Sequence, residues 1–394
     1  ACMKTDDESI DIPSRNLVIG LYVDLELRWI DHPFASSRFV IRTAQELATI
    51  RKLKPDRVKV FPGRSAEDVR LTDLARERDA PAAPPEPADA ELEARLEEKR
   101  AQQGRGEALR ARRRMANQQY REKSEQIRRF TTELKTNPAN AIQAFDELVD
   151  DLTAQVDRGD TLLAQLVDVS SGEYSDAHHV TNVTMLSLLL GAAAGLKGED
   201  LKHLGTGAML HDVGNINVPL ALRGKPQPSL AEAKMIARHP AYGRILVQRV
   251  RQMDAEVLNI IEQHHEYLDG SGYPAGLHGA KLSPMVRIVS IVNHYDDLCN
   301  PPDVRQAMTP KSALARLYRD FAARLDIKLI AQLIEVLGIY PPGTVVELDN
   351  GGIALVIAAR CGDKVRPDVL VYDAAVPKQD AVILRLAECE DLSI

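Results

Sequence analysis

The chain has few aromatic residues and no long apolar run, and both absences exclude classes of function. Aromatic residues make up 4% of the 394 residues, with the single tryptophan Trp29, so a stacking platform for single-stranded nucleic acid is not expected. A net charge of −7 argues against a protein dedicated to nucleic-acid binding. The best apolar candidate, residues 186–194, has half of the roughly eighteen residues that a membrane span needs.

Cysteine is scarce as well, and the sequence opens on polar residues. The four cysteines are widely scattered and have no zinc-site spacing, which favours a reduced cytoplasm. Residues 1–10 are polar and acidic, unlike a secretory signal. We therefore expect a cytoplasmic protein without a membrane span and without a nucleic-acid strand as partner.

Histidine has the most unusual distribution. Nine of the ten histidines lie between His178 and His294, and two pairs are adjacent, at 178–179 and 264–265. Histidines scattered over a surface would not cluster in this way. The clustering places the candidate chemistry in the second half of the chain.

Residue patterns divide the chain into four predicted parts. Residues 1–70 predict a small β-rich N-terminal domain, with strands at 17–23, 39–41 and 58–61 and a helix at 43–53. Residues 71–136 predict a Pro/Ala-rich linker and then a charged helix over 91–135, which is either solvent-exposed or forms a homodimer. Residues 137–342 predict a helical domain, and residues 343–394 predict a β-rich C-terminal extension.

The fold class expected is therefore mainly α, with small β modules at both ends. Strands in the last part are expected at 344–348, 353–358, 369–372 and 382–386, with a turn at Asn350-Gly351. The predicted helices of the central part cover residues 141–156, 160–166, 176–194, 198–211, 230–239, 243–253, 255–264, 284–298, 312–321 and 327–337.

Imidazoles stand at the ends of four predicted helices. His211 and Asp212 end one helix, and adjacent helical residues diverge by about 100°, so the pair can serve neighbouring ions with the carboxylate bridging them. His179, His239 and the His264-His265 pair mark other helix ends. Imidazole and carboxylate together suit iron, manganese or zinc rather than calcium. The alternative is a set of core histidines with satisfied hydrogen bonds, but five of them with one aspartate favour a metal centre.

The same residues carry a resemblance to a known family. The chain resembles an HD-GYP domain, a branch of the HD phosphohydrolase superfamily that degrades the bacterial second messenger cyclic di-GMP, over about residues 140–342. Residues 10–70 resemble the small domain of unknown function that often precedes HD-GYP domains. The motifs that carry the resemblance are His211-Asp212-Val213-Gly214, His179, His239, His264-His265, Asp269-Gly270-Ser271-Gly272-Tyr273-Pro274, Tyr295-Asp296-Asp297-Leu298 and, for the first domain, Trp29-Ile30-Asp31-His32-Pro33-Phe34.

The resemblance implies an all-α HD-type domain that holds two divalent ions, with iron or manganese expected, and that needs no nucleophilic side chain because the ions activate water. His211 and Asp212 would form the catalytic centre. The implied ligands are His179, His211 and Asp212, with Asn293, for the first ion and Asp212, His239, His264 and His265 for the second. The implied substrate-binding residues are Asn215, Lys225, Asp296 and Arg305, and the loop residues Gly272, Tyr273 and Pro274 would shape the site or contact diguanylate cyclase (GGDEF) partners.

The sequence departs from the family pattern at four positions. Asn215 stands where the family usually has lysine, and Asn293 stands where it has an aspartate ligand. Pro302 replaces an expected arginine, although Arg305 keeps a later basic position. Ser175 stands where members with three ions carry glutamate, which favours two ions.

These observations predict a metal-dependent phosphodiesterase that hydrolyses cyclic di-GMP to linear pGpG, to GMP or to both. Because the departures fall on phosphate and metal contacts, a weakened domain that binds cyclic di-GMP or a protein as a regulatory module remains an alternative. A hydrolase of another nucleotide is the third interpretation.

Overall fold

The computed structural model of the protein describes residues 9–27, 32–34, 37–53, 56–66, 89–134, 136–158, 175–223, 225, 227–250, 252–349, 351–358, 365–372, 381–389 and 392–394. The chain divides into two compact units, residues 1–108 and 109–394. Each unit is described by itself below.

The first unit contains a four-stranded antiparallel sheet in the order β1-β4-β2-β3. The predicted segment 17–23 is wrong as a single strand, because Gly20 adopts φ 97° and turns the chain before β2 begins. The remaining predicted strands and the helix are confirmed, and β1 was not predicted. Residues 29–31 lie outside the described residues. The elements are β1 (Ile10–Pro13), β2 (Tyr22–Asp24), β3 (Arg38–Val40), α1 (Ala44–Leu53) and β4 (Arg57–Val60).

A long helix, α2 (Asp89–Glu133), confirms the charged helix predicted from the sequence. The boundary between the two units falls within it. Its second half buries Tyr120 and Ile127 in the main hydrophobic core of the second unit. The Pro/Ala-rich stretch before residue 89 lies outside the described residues.

The second unit is mainly helical, and nearly every predicted helix is confirmed. The predicted helix 230–239 is wrong at its end, because it stops at Ile236 and His239 opens the next helix. The predicted helix 160–166 lies outside the described residues. The helices are α3 (Pro138–Asp157), α4 (Asp176–Ala193), α5 (Gly198–Leu210), α6 (Leu230–Ile236), α7 (His239–Val250), α8 (Ala255–Gln263), α9 (Pro284–Cys299), α10 (Pro310–Asp320) and α11 (Ile327–Leu337).

Helix α4 lies in the middle of this helical region. It is buried around most of its circumference, and α3, α5, α9 and α11 pack against it. A helix that is apolar on all sides is typical of the interior of a domain. The centre of the domain is therefore fixed by α4, and His179 lies in its first turns.

The chain ends in a second antiparallel sheet, in the order β5-β6-β7-β8. All four predicted strands are confirmed, as β5 (Val345–Glu347), β6 (Ile353–Ala358), β7 (Asp368–Val371) and β8 (Ile383–Arg385). Gly351 in the first hairpin has φ 78°, and Asn350 lies outside the described residues. No helix among the described residues is long and apolar enough to cross a membrane.

Candidate metal centre

The ends of four helices converge on one carboxylate, that of Asp212. Oδ2 of Asp212 lies 3.7 Å from Nε2 of His211 and 3.9 Å from Nε2 of His179. Oδ1 lies 3.1 Å from Nε2 of His239 and 3.8 Å from Nε2 of His264. Each oxygen of one aspartate therefore faces its own pair of imidazoles. The histidine side chains are at most 5% exposed, whereas Asp212 is 23% exposed, so the cluster opens outward at the carboxylate.

Two groups of candidate ligands share Asp212. The first group is His179, His211 and Asp212, and the second is Asp212, His239, His264 and His265. Within each group, the ligand atoms lie within 4.8 Å of one another. Apart from Asn293, these groups bring together the residues that the resemblance implied as ligands.

Backbone carbonyls fix the tautomers of three of the imidazoles. The Nδ1 of His211 donates to the carbonyl of Ala208 (2.6 Å), and the Nδ1 of His264 donates to Ile261 (3.0 Å). The Nδ1 of His239 bonds the carbonyl of Ile236 in the same way, at 2.9 Å. Because each ring uses Nδ1 for this bond, Nε2 is left to face the cluster, as in histidines that bind metal ions.

The Nε2 atoms approach each other too closely for neutral rings without a cation. Nε2 of His179 lies 3.3 Å from Nε2 of His211, and Nε2 of His239 lies 3.2 Å from Nε2 of His264. Two nitrogen lone pairs at this distance repel unless a proton or metal ion lies between them. Ligand atoms of one ion have a similar spacing of about 3 Å when each bond is about 2.1 Å long. The donor set and its spacing therefore fit a binuclear metal centre.

In the metal-free protein, the surroundings shift the pKa values of the two imidazoles of each pair in opposite directions. Burial lowers the pKa of His179, but the hydrogen bond to Asp296 outweighs it and raises the pKa to about 10. Burial likewise opposes ionisation of His239, but its bond to Asp212 raises the pKa above the usual value. Burial lowers the pKa of His211 to about 4, and it lowers the pKa of His264 well below its usual value. Each pair thus attracts one positive charge, in the place that an ion would take.

Asn293 is buried and faces the first ligand group. Its Oδ1 lies 2.9 Å from Nε2 of His179, which donates to it when protonated. The amide oxygen is therefore placed as a neutral ligand beside His179. Asp296, which the resemblance assigned to substrate, lies behind this histidine instead. Its side chain is 2% exposed, and its Oδ2 lies 2.7 Å from Nδ1 of His179.

A glycine allows the close approach of the helices that carry the ligands. A Cβ on Gly214 would lie 1.9 Å from the carbonyl oxygen of His239 and 2.4 Å from the nitrogen of Gly243. The turn after Asp212 therefore packs directly on the start of α7. This contact explains why the motif ends in glycine, and it holds Asp212 against His239.

The loop Asp269–Pro274 is fixed beside the second ligand group. The buried carboxylate of Glu266 accepts backbone N–H bonds from Ala275 (2.6 Å), Gly276 (3.1 Å) and Leu277 (3.0 Å). The ring of Tyr273 stacks on His265 with centroids 4.7 Å apart. A Cβ on Gly272 would lie 2.5 Å from the carbonyl oxygen of His265, so only glycine fits there. Sequence reasoning missed Glu266, whose one signal was its place directly after the histidine pair.

Ser175 has a structural task at the position where members with three ions carry glutamate. Its Oγ accepts the backbone N–H of His178 at 3.2 Å and so caps α4. Such a cap satisfies one of the unpaired donors at a helix start. The residue therefore orients the helix that carries His179.

The predicted substrate-binding residues lie around the cluster rather than in it. Asn215 lies in the turn after Asp212 and is half-buried. The Nζ of Lys225 bonds the two carboxylate oxygens of Glu232 at 2.7 and 2.8 Å. The guanidinium of Arg305 is 89% exposed and pairs with Asp303. A phosphate contact from either cation would have to compete with these ion pairs.

Asp297 is an exposed carboxylate that sequence reasoning did not assign. The charges of both His179 and His239 act on it, and so does that of Asp212. Desolvation of the carboxylate by the surrounding protein, together with the charges of Asp296 and Asp212, raises its pKa to about 6. Its signal in the sequence was only its position next to Asp296.

Two family models match the chain. An HD domain matches residues 160–329, and a domain of unknown function, DUF3391, matches residues 9–145. Together with the shared aspartate and its histidines, they define an HD-domain protein with an N-terminal DUF3391 domain.

Several proteins with similar sequences are named as phosphodiesterases of cyclic dinucleotides. A cyclic di-GMP phosphodiesterase of Pseudomonas aeruginosa is 26% identical over 378 residues, which cover 93% of this chain and 86% of the relative. A 3'3'-cGAMP-specific phosphodiesterase of Vibrio cholerae is 29% identical over 46% of this chain and 39% of its own length. A cyclic di-GMP phosphodiesterase response regulator of Xanthomonas campestris is 31% identical over 41% of this chain and 44% of its own length. The chain thus has an HD domain after an N-terminal DUF3391 domain, and a cyclic di-GMP phosphodiesterase homologue covers most of its length.

A solved structure also matches. An HDG"Y"P protein from Bdellovibrio bacteriovorus has a TM-score of 0.47 and 22% identity, and the match covers 84% of this chain and 99% of that one.

Proposed function

We propose that the protein is a metal-dependent phosphodiesterase that hydrolyses cyclic di-GMP to linear pGpG, to GMP or to both, in bacterial signalling. The observation that carries this proposal is the carboxylate of Asp212, with one oxygen towards each histidine pair. The relative that spans 93% of the chain is named for this substrate. We expect the two ions to be iron or manganese, since imidazole and carboxylate ligands suit both.

Bound ions would lower the pKa of water and neutralise charge on the phosphate. The protein's own residues hold and orient them. Asp212 keeps the two ligand groups at a fixed separation, and backbone carbonyls hold the rings of His211, His239 and His264 with Nε2 towards the cluster. Because Asp212 and His265 are the partly exposed members of the cluster, a phosphodiester would approach from their side.

Two of the described cations that could bind a phosphodiester, Lys225 and Arg305, already form ion pairs. Asn215 can donate a hydrogen bond but brings no charge, and Lys225 is already bonded to Glu232. The substrate roles of Asn215, Lys225 and Arg305 remain proposals, whereas the buried Asp296 faces His179 instead. The diguanylate cyclase partners at the loop of Gly272, a homodimer through α2 and a cytoplasmic location remain proposals as well.

The test is product analysis with a matched pair of histidine variants. The full chain, loaded without oxygen with Mn(II) or Fe(II), is incubated with cyclic di-GMP and, separately, with 3'3'-cGAMP, and the products are resolved by chromatography. We expect linear product from cyclic di-GMP. His211→Ala should abolish it, whereas His203→Ala, on the same helix but outside the ligand groups, should retain it. Hydrolysis of 3'3'-cGAMP alone would refute the assigned substrate.

A regulatory binding module is the second candidate, favoured by the two asparagines at positions 215 and 293. It predicts that the metal-loaded chain binds cyclic di-GMP and leaves it intact. The double variant Asn215→Lys/Asn293→Asp should then gain turnover. If the double variant of an inactive protein stays inactive, these two positions are not the reason for the inactivity.

A further inference from the structure

A buried chain of hydrogen bonds connects the long helix α2 to the ligand His179. The phenol of Tyr120 donates to Oδ1 of Asn182 at 2.9 Å, and Nδ2 of Asn182 donates to Oδ1 of Asp296 at 2.8 Å. The other oxygen of Asp296 lies 2.7 Å from Nδ1 of His179. The four residues are between 2% and 6% exposed, so water does not replace these bonds.

Each link of this chain has one direction. Burial raises the pKa of Tyr120, so its phenol stays protonated and acts as the donor. The amide of Asn182 must then present its oxygen to Tyr120 and its NH₂ to Asp296. Oδ1 of Asp296 accepts this bond, because an amide NH₂ group can only donate. A change at Tyr120 therefore removes the reason for the orientation of Asn182.

Neutral donors and His179 hold Asp296. The side chain of Asn300 donates a second bond to Oδ1, also at 2.8 Å. No lysine or arginine among the described residues forms an ion pair with it. A buried carboxylate without such a partner depends on the geometry of its hydrogen bonds. Reversal of the Asn182 amide would direct an oxygen at Asp296 and weaken its hold on His179.

Helix α2 is seated next to this point by further polar contacts. Oγ of Ser124, one turn after Tyr120, lies 3.1 Å from Oγ1 of Thr181, and Nζ of Lys123 bonds Asp151 on α3 at 2.7 Å. Polar contacts inside a domain favour one arrangement, because any other leaves groups unpaired. A shift of α2 by one residue would rotate Tyr120 away from Asn182 by about 100°.

We propose that Tyr120 is a positioning residue for His179, acting through Asn182 and Asp296, so that the position of α2 sets the affinity of the ion that His179 binds. The inference rests on the proposed two-ion site. It adds to that site a dependence on a helix outside the ligand groups. Outer partners of metal-bound histidines fix the ring orientation and raise the basicity of the ligand, which is the effect assigned here to Asp296.

The test is a titration of the full-length, metal-free chain with Co(II), whose visible absorption reports the ligand geometry of each bound ion. Tyr120→Phe removes only the hydroxyl group. Two controls match it: Tyr318→Phe removes a hydroxyl from a tyrosine that is 52% exposed, and Lys202→Met removes an ion pair between α5 and α3 that does not involve α2. Asn182→Leu removes the next link and serves if Tyr120→Phe fails to fold.

We expect Tyr120→Phe to lower the affinity for one of the two ions by about 2- to 10-fold, as the loss of one buried hydrogen bond predicts. The absorption spectrum of that ion should change as well. The other ion and both control variants should match the unmodified protein, and Asn182→Leu should have the larger effect. Unchanged affinities and spectra in Tyr120→Phe and Asn182→Leu, with two ions bound, would overturn this inference alone. An equal loss at both ions, also seen in Lys202→Met, would overturn it in favour of general destabilisation. A chain that binds no ion would overturn the proposed function as well.

Discussion

Replacement of Asp296 by asparagine should change how the affinity for metal ions depends on pH. In the metal-free protein, burial opposes the charge on His179, but the hydrogen bond and charge of Asp296 raise its pKa to about 10. An ion that binds His179 must displace this proton. Its affinity should therefore rise about tenfold for each pH unit below 10, and about 100-fold between pH 6.5 and 8.5.

In Asp296→Asn, this cause of the raised pKa is gone and burial still opposes ionisation, so the pKa of His179 should fall to its ordinary value of about 6.5 or below it. Between pH 6.5 and 8.5 the fraction of unprotonated His179 then rises at most about twofold, and the affinity with it. At high pH the variant should bind the ion about 10- to 100-fold more weakly, because an outer partner of the ligand is lost. The slope against pH and the limiting affinity thus change in the same variant for separate reasons.

Isothermal titration calorimetry with Mn(II), without oxygen and at several pH values, measures both quantities. Asp320→Asn, which changes an exposed carboxylate paired with Arg319, is the matched control and should keep the steep slope. Equal slopes in the unmodified chain and in Asp296→Asn would refute the assignment of the proton to His179. A slope near zero in the unmodified chain would refute it too.

Three further predictions concern other parts of the site. Asn293→Asp adds a charged ligand beside His179 and should tighten one ion about tenfold in a chelator competition; an unchanged affinity would show that residue 293 does not reach the ion. Gly272→Ala places a Cβ 2.5 Å from backbone atoms of His265 and Glu266. Because of this clash, the variant should lower the free energy of unfolding by about 2–4 kcal/mol in urea denaturation. The control Ser271→Ala, in the same loop, should lower it by less than about 1 kcal/mol. Removal of the metal ions should lower the melting temperature, because an ion at 100 times its Kd stabilises the folded state by about 2.7 kcal/mol; equal melting temperatures with and without Mn(II) would contradict binding to the folded chain.

The sequence predicted the helices of the second unit because their apolar spacing agrees with their caps. Helix α9 illustrates this agreement: Ser283 caps it, Pro284 begins it, and its apolar residues recur at helical spacing. The strand predicted at 17–23 failed for a local reason, since Leu17 and Leu21 are buried in the core but Gly20 turns the chain between them. At such a position, buried apolar side chains do not indicate that the backbone forms a strand.

The candidate ligands could be predicted because five clustered histidines at helix ends, together with an aspartate, are an unusual and chemically specific combination. The residues behind them could not. Tyr120 meets Asn182 across 62 residues of sequence, and His179 meets Asp296 across 117. Tyrosine and asparagine occur at many positions of a helical domain, so only the packing of α2, α4 and α9 distinguishes these two from the rest.

The carboxylate of Glu266 has a consequence for how this loop can change. Glu266 directly follows the ligand His265, and its three backbone contacts reach to Leu277, eleven residues later. An insertion or deletion between them would shift the amides off the carboxylate and pull on the ligand next to it. The length of the loop is therefore coupled to the position of His265. A loop grafted from a relative would function here only if it presented three amides to the carboxylate of Glu266 in the same places.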